Sequence, residues 1–149
     1  MQRWLMKTEP DTFSIDDLKL RRVEPWNGVR NYQARNYIRA MRRADEVMIY
    51  HSSCAVPGVA GIAKVASAPY PDPGQFDPED EYFDAGSDRG NPRWILVDVR
   101  FVRKLKRVIT LDEIKGLRGL GDFALTRRGN RLSVLPVTDA QWQAILALE

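Results

Sequence analysis

The chain has few of the residues that most often carry out chemistry. It holds one cysteine and one histidine in 149 residues. Cys54 alone closes no internal disulfide and builds no multi-cysteine metal site, and it reads as a buried, inert thiol. His51 has no second imidazole to work with, and there is no CxxC, so the donor set of a zinc site is missing. The acidic residues follow no calcium-loop pattern. No cofactor is expected. No apolar stretch approaches the roughly 20 residues that span a bilayer. The segment Met1–Lys7 turns polar too soon for a signal peptide, so a cytoplasmic protein off the membrane is expected. Repeats, low-complexity tracts and dividing linkers are also absent, which predicts a single domain over residues 1–149. Gly116, Gly119 and Gly121 lack the Lys-Ser/Thr and the preceding strand of a phosphate loop, and read as turn glycines.

Charge is present and unevenly placed. The net charge is +3 and the isoelectric point about 9.2, which is mildly basic. Arg30, Arg35, Arg39, Arg42 and Arg43 crowd one segment. Arg100, Arg103, Lys104, Lys106 and Arg107 crowd another, and Arg127, Arg128 and Arg131 a third. The acids gather in one stretch that includes Asp72, Asp77, Glu79, Asp80, Glu81, Asp84 and Asp88. A polyanion is drawn to the first three and repelled by the last. The alternative is that all four are solvated faces.

Periodicity sketches the elements. Residues 2–7 alternate as a short strand. Ser14 before Asp16 and Asp17 predicts the N-cap of a short helix. Residues 21–29 read as a loop. Asn31 predicts a second cap, with a helix running to about Arg43. Ala34, Ile38 and Met41 share its apolar face, and Arg35, Arg39 and Arg42 form an adjoining basic stripe. Val47–Tyr50 and Val59–Val65 read as strands, and residues 69–92 as a long irregular excursion. Trp94–Leu105 reads as one alternating strand and Arg131–Val137 as the last. Thr110-Leu111-Asp112-Glu113 and Thr138-Asp139-Ala140-Gln141 are capping boxes that open helices. Strands broken by short helices without regular βαβ units predict a mixed α+β fold built on a curved sheet or small barrel.

Catalysis finds little support. His51 stands beside Ser52, Ser53 and Cys54, but neighbours on an extended segment point to opposite faces. No catalytic residue is predicted. A hydrolase or nucleotide-processing enzyme with His51 as base stays open as an alternative, as does a protein-interaction module using the acidic 72–88 loop. Binding is better served by residues 26–36. They combine two aromatics (Trp26, Tyr32), two amides (Asn31, Gln33) and two arginines (Arg30, Arg35). A flipped base needs a π-surface, donors and acceptors for its edge, and cations for the flanking phosphates. The competing explanation is packing, with Trp26 and Tyr32 stapling the loop and Asn31 only a cap.

The order of the blocks is also familiar. Trp4-Leu5-Met6-Lys7-Thr8-Glu9-Pro10, Phe13–Leu18 and Trp26-Asn27-Gly28-Val29-Arg30-Asn31-Tyr32-Gln33-Ala34-Arg35-Asn36 resemble the signature blocks of EVE-domain proteins. Tyr50-His51-Ser52, Gly58–Val65, Tyr70–Pro73, Trp94–Phe101 and Arg131–Val134 are similar to later ones. Asn27 departs from the Asp found in many relatives. The resemblance implies a PUA-like fold, with short helices around a curved barrel-like sheet, and kinship with PUA and YTH modules. It implies a reader of a modified base, a modified cytosine in DNA or a modified RNA, whose partner is a nucleic acid or modified nucleotide. By the same resemblance the pocket would hold Trp26, Asn31 and Tyr32, with Lys7, His51 and Ser52. Trp94, Asp72 and Ser133 are secondary candidates. Arg30, Arg35 and Arg39 would hold phosphates. Such a reader should keep its binding when the 72–88 loop is deleted.

Overall fold

The computed structural model describes residues 1–149. Eight strands and four α-helices follow one another along the chain: β1 (Arg3–Thr8), α1 (Ile15–Arg21), β2 (Val23–Pro25), α2 (Tyr32–Ala40), β3 (Glu46–His51), β4 (Gly58–Val65), β5 (Tyr70–Pro71), β6 (Ile95–Leu96), β7 (Asp98–Thr110), α3 (Leu111–Lys115), β8 (Val134–Pro136) and α4 (Asp139–Leu146). Six strands form one curled sheet in the order β2-β7-β4-β3-β1-β8. Only β1 and β3 run parallel; the other neighbours are antiparallel. Register shifts in the β3–β4 and β4–β7 ladders mark where extra residues bend the sheet. The architecture is the mixed α+β curved sheet with short peripheral helices that the sequence predicts. No helix is long and apolar enough to cross a membrane.

The helix starts follow from local chemistry. Ser14 and Thr110 each take part in a reciprocal capping box, and Thr138 does the same with Gln141. Asn31 accepts the Ala34 amide at 3.0 Å and opens α2. Ala34, Ile38 and Met41 are buried as their spacing requires.

Several boundaries differ from expectation; the last strand, expected over Arg131–Val137, is only Val134–Pro136. Helix α2 ends at Ala40, not near Arg43, because the Asp45 carboxylate takes the Arg42 amide at 3.0 Å and Ala44 adopts φ 73°. The loop expected at 21–29 contains β2, which pairs with the start of β7. The strand expected over Trp94–Leu105 is two strands. β6 pairs with β5 in a separate two-stranded sheet, and β7 enters the main sheet. At the break, the Val97 carbonyl accepts the Trp26 amide at 2.9 Å. Cys54, expected to be buried, is half-exposed.

Asp45 is buried without a cation. Its carboxylate instead accepts three donors: Trp4 Nε1 at 3.0 Å, the Gln2 amide at 3.2 Å and the Arg42 amide at 3.0 Å. It thereby joins the end of α2 to β1 and β3. Asp45→Ala strands the buried Trp4 indole donor and is expected to cost about 2–4 kcal/mol, since an unmade bond to a charged partner exceeds the ordinary desolvation penalty. Urea unfolding checks this; an unchanged midpoint contradicts it.

Candidate functional site

β1 and β3 pair in parallel, with Lys7 opposite Tyr50 and Thr8 opposite His51. Both strands therefore end together, and a cleft of about 1000 Å³ opens there. Lys7, Thr8 and Glu9 line it from β1, and Ser52 and Ser53 from the end of β3. Thr12 and Phe13 come from the turn before α1, and Trp26, Asn27, Gly28 and Val29 from the loop after β2. Glu24 and Pro25 of β2, the acidic segment Glu79–Tyr82, and Asn130, Arg131 and Ser133 complete the lining.

Trp26 is 8% exposed and lines the cleft. Phe13 meets it edge-on, with ring centroids 5.9 Å apart at 83°. Its loop turns at Gly28, whose φ is 84°. A Cβ there would stand 2.7 Å from the Tyr82 ring, so a glycine is required both by the backbone and by the neighbour. Lys7 is half-buried, and burial lowers its pKa from the ordinary 10.5. Its amine lies 5.7 Å from the Tyr50 ring centroid and enters no salt bridge.

The acidic stretch is a wall of this cleft. Asp72 is 1% exposed. One of its oxygens accepts the Gly28 amide at 2.9 Å and Arg30 Nη1 at 3.0 Å; the other accepts the Gly74 amide at 2.9 Å. Arg30 Nε reaches on to the Tyr82 carbonyl at 3.0 Å. Its guanidinium stacks 5.5 Å from the Tyr82 ring and 5.6 Å from the Trp94 ring. Gln75, with no exposed surface, ties the same segment to Trp94. Its amide nitrogen donates to the Asp72 and Trp94 carbonyls, and its oxygen accepts Ser87 Oγ and the Trp94 amide.

Of the residues singled out in the sequence, Trp26, Lys7, Ser52 and Ser133 meet in the cleft. The others lie outside its lining. Asn31 caps α2 and lines a smaller adjoining groove. Tyr32 is 54% exposed, with its ring 5.0 Å from that of Trp94 and the Arg35 guanidinium 4.8 Å above it. Trp94 is buried and donates its indole N–H to Asp84 at 2.8 Å. Arg30 is spent on Asp72. Arg35 donates to Asn36 and to the Arg93 carbonyl. Arg39 is exposed on the last turn of α2. His51 Nε2 accepts the Ile15 amide at 3.1 Å, so its proton belongs on Nδ1 and the ring secures the start of α1. Tyr82 carries no signal in the sequence, because its role depends on meeting Gly28 across 54 positions of chain. Phe13 was visible only as part of a family block.

The charge of the lining also differs from the basic surround expected. Glu9, Glu24, Glu79, Asp80 and Glu81 face only Lys7 and Arg131. The expectation that binding survives loss of residues 72–88 treats that loop as lying apart from the site, whereas Glu79–Tyr82 line the cleft. Deletion removes the Tyr82 wall and the Asp72 partner of Arg30 and Gly28.

Asp72→Ala leaves the largely buried Arg30 guanidinium uncompensated. Breaking such a pair from one side costs about 3–5 kcal/mol. Chemical denaturation should show that loss, with faster amide exchange across residues 72–88; unaltered exchange would contradict the clamp. Burial, ahead of the opposing effects of Asp16 and Lys104, holds the pKa of His51 below its ordinary 6.5. Below that pH the unfolded chain binds a proton that the folded chain resists. Stability therefore falls as pH drops below about 6.5 toward the lower folded-state value. His51→Gln should lose less melting temperature than wild type between about pH 7.5 and about pH 5.5. An equal loss contradicts the assignment.

Residues 2–148 match the family described as EVE domain. Thymocyte nuclear protein 1 from Rattus norvegicus is 42% identical, the match covering 98% of this chain and 73% of that protein. A solved protein from Pseudomonas syringae superposes with a TM-score of 0.95 at 49% identity, covering 98% of each chain. The human THYN1 protein, crystallised in complex with DNA containing 5-methylcytosine, superposes with a TM-score of 0.94 at 39% identity, covering 99% of this chain and 97% of that one. The curled six-stranded sheet is their PUA-like fold. The chain belongs to the EVE domain family.

Proposed function

We propose that this protein is a non-catalytic module that captures one modified nucleobase in the Trp26 cleft. A modified cytosine in DNA is the first candidate ligand and a modified RNA base the second. Residues 1–149 act as one domain, without a cofactor. The observation that carries this is a conjunction. A cleft lined by a tryptophan and an unpaired lysine lies in a chain 39% identical to the human protein crystallised with 5-methylcytosine DNA.

The chemistry of the lining is compatible. Trp26 gives a base a π-surface, and stacking is worth about 1–3 kcal/mol per base. Asn27, Ser52 and Ser133 supply small polar groups for a base edge. Glu9 and Glu24 can accept from an exocyclic amine, as carboxylates do from cytosine N4. Lys7 can donate to a ring carbonyl. Tyr32 and Trp94 support the wall from behind, through Arg30 and Arg35. A role for His51 as a general base is disfavoured, because its Nε2 is occupied by the Ile15 amide.

Affinity for a duplex with one 5-methylcytosine and for its unmodified twin tests the proposal in wild type and Trp26→Ala. Wild type should prefer the modified duplex. Trp26→Ala should lose that preference and weaken binding by about ten-fold or more, the equivalent of one stacked base. Unchanged affinity and preference in Trp26→Ala would remove the cleft from the account.

A further inference from the structure

We infer that the turn Arg127–Asn130, continued by Arg131, is a rail for the sugar–phosphate backbone of the strand whose base enters the Trp26 cleft. The inference rests on the base capture proposed above and adds the path of the strand. A groove of about 320 Å³ runs beside the cleft. Asn31 and Gln33 line one side of it, and residues 127–132 the other. Asn130 and Arg131 line both the groove and the cleft, so the two are continuous.

The rail is a built turn. The Asn130 amide donates to the Arg127 carbonyl at 3.1 Å, and the Asn130 side chain accepts the Leu132 amide at 3.1 Å. Gly129 takes φ 76°, which lets the chain reverse at once. Arg128 thereby stands at the tip. Arg128 and Arg131 are exposed, and neither forms a salt bridge. Arg127 is paired at 3.0 Å with Asp122, a carboxylate 80% exposed. Such surface pairs are weak and are readily exchanged for a phosphate.

Charge then sets the direction. Glu79, Asp80 and Glu81 form the acidic wall of the cleft. A phosphodiester is repelled by that wall and attracted to the arginine turn. Only the base can enter the acidic cleft at low cost, while its backbone stays on the groove side. Two of the three arginines expected from the sequence to hold phosphates are differently employed, while Arg39 is exposed on α2 and lines neither the cleft nor the groove. Arg30 and Arg35 donate to groups of the chain itself.

The experiment compares wild type, Arg127→Gln/Arg128→Gln and Trp26→Ala. Each is titrated with a duplex carrying one 5-methylcytosine and with its unmodified twin, across a salt series. The log of affinity falls with the log of salt by about 0.9 per phosphate contact. The double variant should flatten that slope by about one to two and weaken both duplexes by a similar factor, on the order of ten-fold. Its preference for the modified duplex should stay intact. Trp26→Ala should lose the preference and keep the slope. If the double variant keeps the wild-type slope while Trp26→Ala loses its preference, the rail is overturned and base capture stands. If the double variant loses the preference as well, the division between rail and cleft is overturned. If wild type binds neither duplex, base capture and the rail fall together.

Discussion

The cleft depends on one buried carboxylate. Asp72 is taken almost wholly out of water, and a charge so placed persists only where donors surround it. Three do: the amides of Gly28 and Gly74 and the guanidinium of Arg30. The first and third belong to the loop that carries Trp26, and the second to the acidic excursion. The same ion therefore holds both walls at a fixed separation. Gln75 then fixes the rest of the excursion by satisfying backbone groups of Asp72 and Trp94. Residues 72–94 contain no strand or α-helix and are held by these two side chains together with Arg30, Asp84 and Ser87.

That constraint explains why a mildly basic protein has an acidic cleft. The carboxylates of the excursion are brought to one wall, and the arginines of the 127–131 turn remain across the opening. A uniformly basic pocket would hold any stretch of polyanion with little regard for its bases. Separating the two signs allows the phosphate chain to be attracted to one place and excluded from the other. On the proposed function, affinity and base selectivity reside in different residues, as they generally do in nucleic-acid recognition.

Much of this architecture was legible before any coordinates. Ser14, Asn31, Thr110 and Thr138 mark helix starts because a cap is decided by residues three apart. Ala34, Ile38 and Met41 mark a buried face because helical spacing is local. Trp26 stood out as an aromatic in a polar loop. Arg30 shows the limit of such inference. An arginine facing a phosphate and one facing Asp72, 42 positions away, are the same letter. Tyr32 and Trp94 belong to the same class, since their rings lie far apart in the chain and meet only in the fold. The acidic excursion read as one charged surface, although Asp72 within it is buried, because charge is visible in sequence and burial is not.

Entry of a base beside Trp26 is open to direct observation. The four tryptophan indoles, at positions 4, 26, 94 and 142, give separate N–H signals in a nitrogen–proton correlation spectrum. The account predicts that a duplex carrying 5-methylcytosine shifts the Trp26 signal, identified by its loss in Trp26→Phe. Trp4, Trp94 and Trp142 are buried elsewhere and should stay in place. Saturating binding that moves one of those three and leaves Trp26 unchanged would contradict the account.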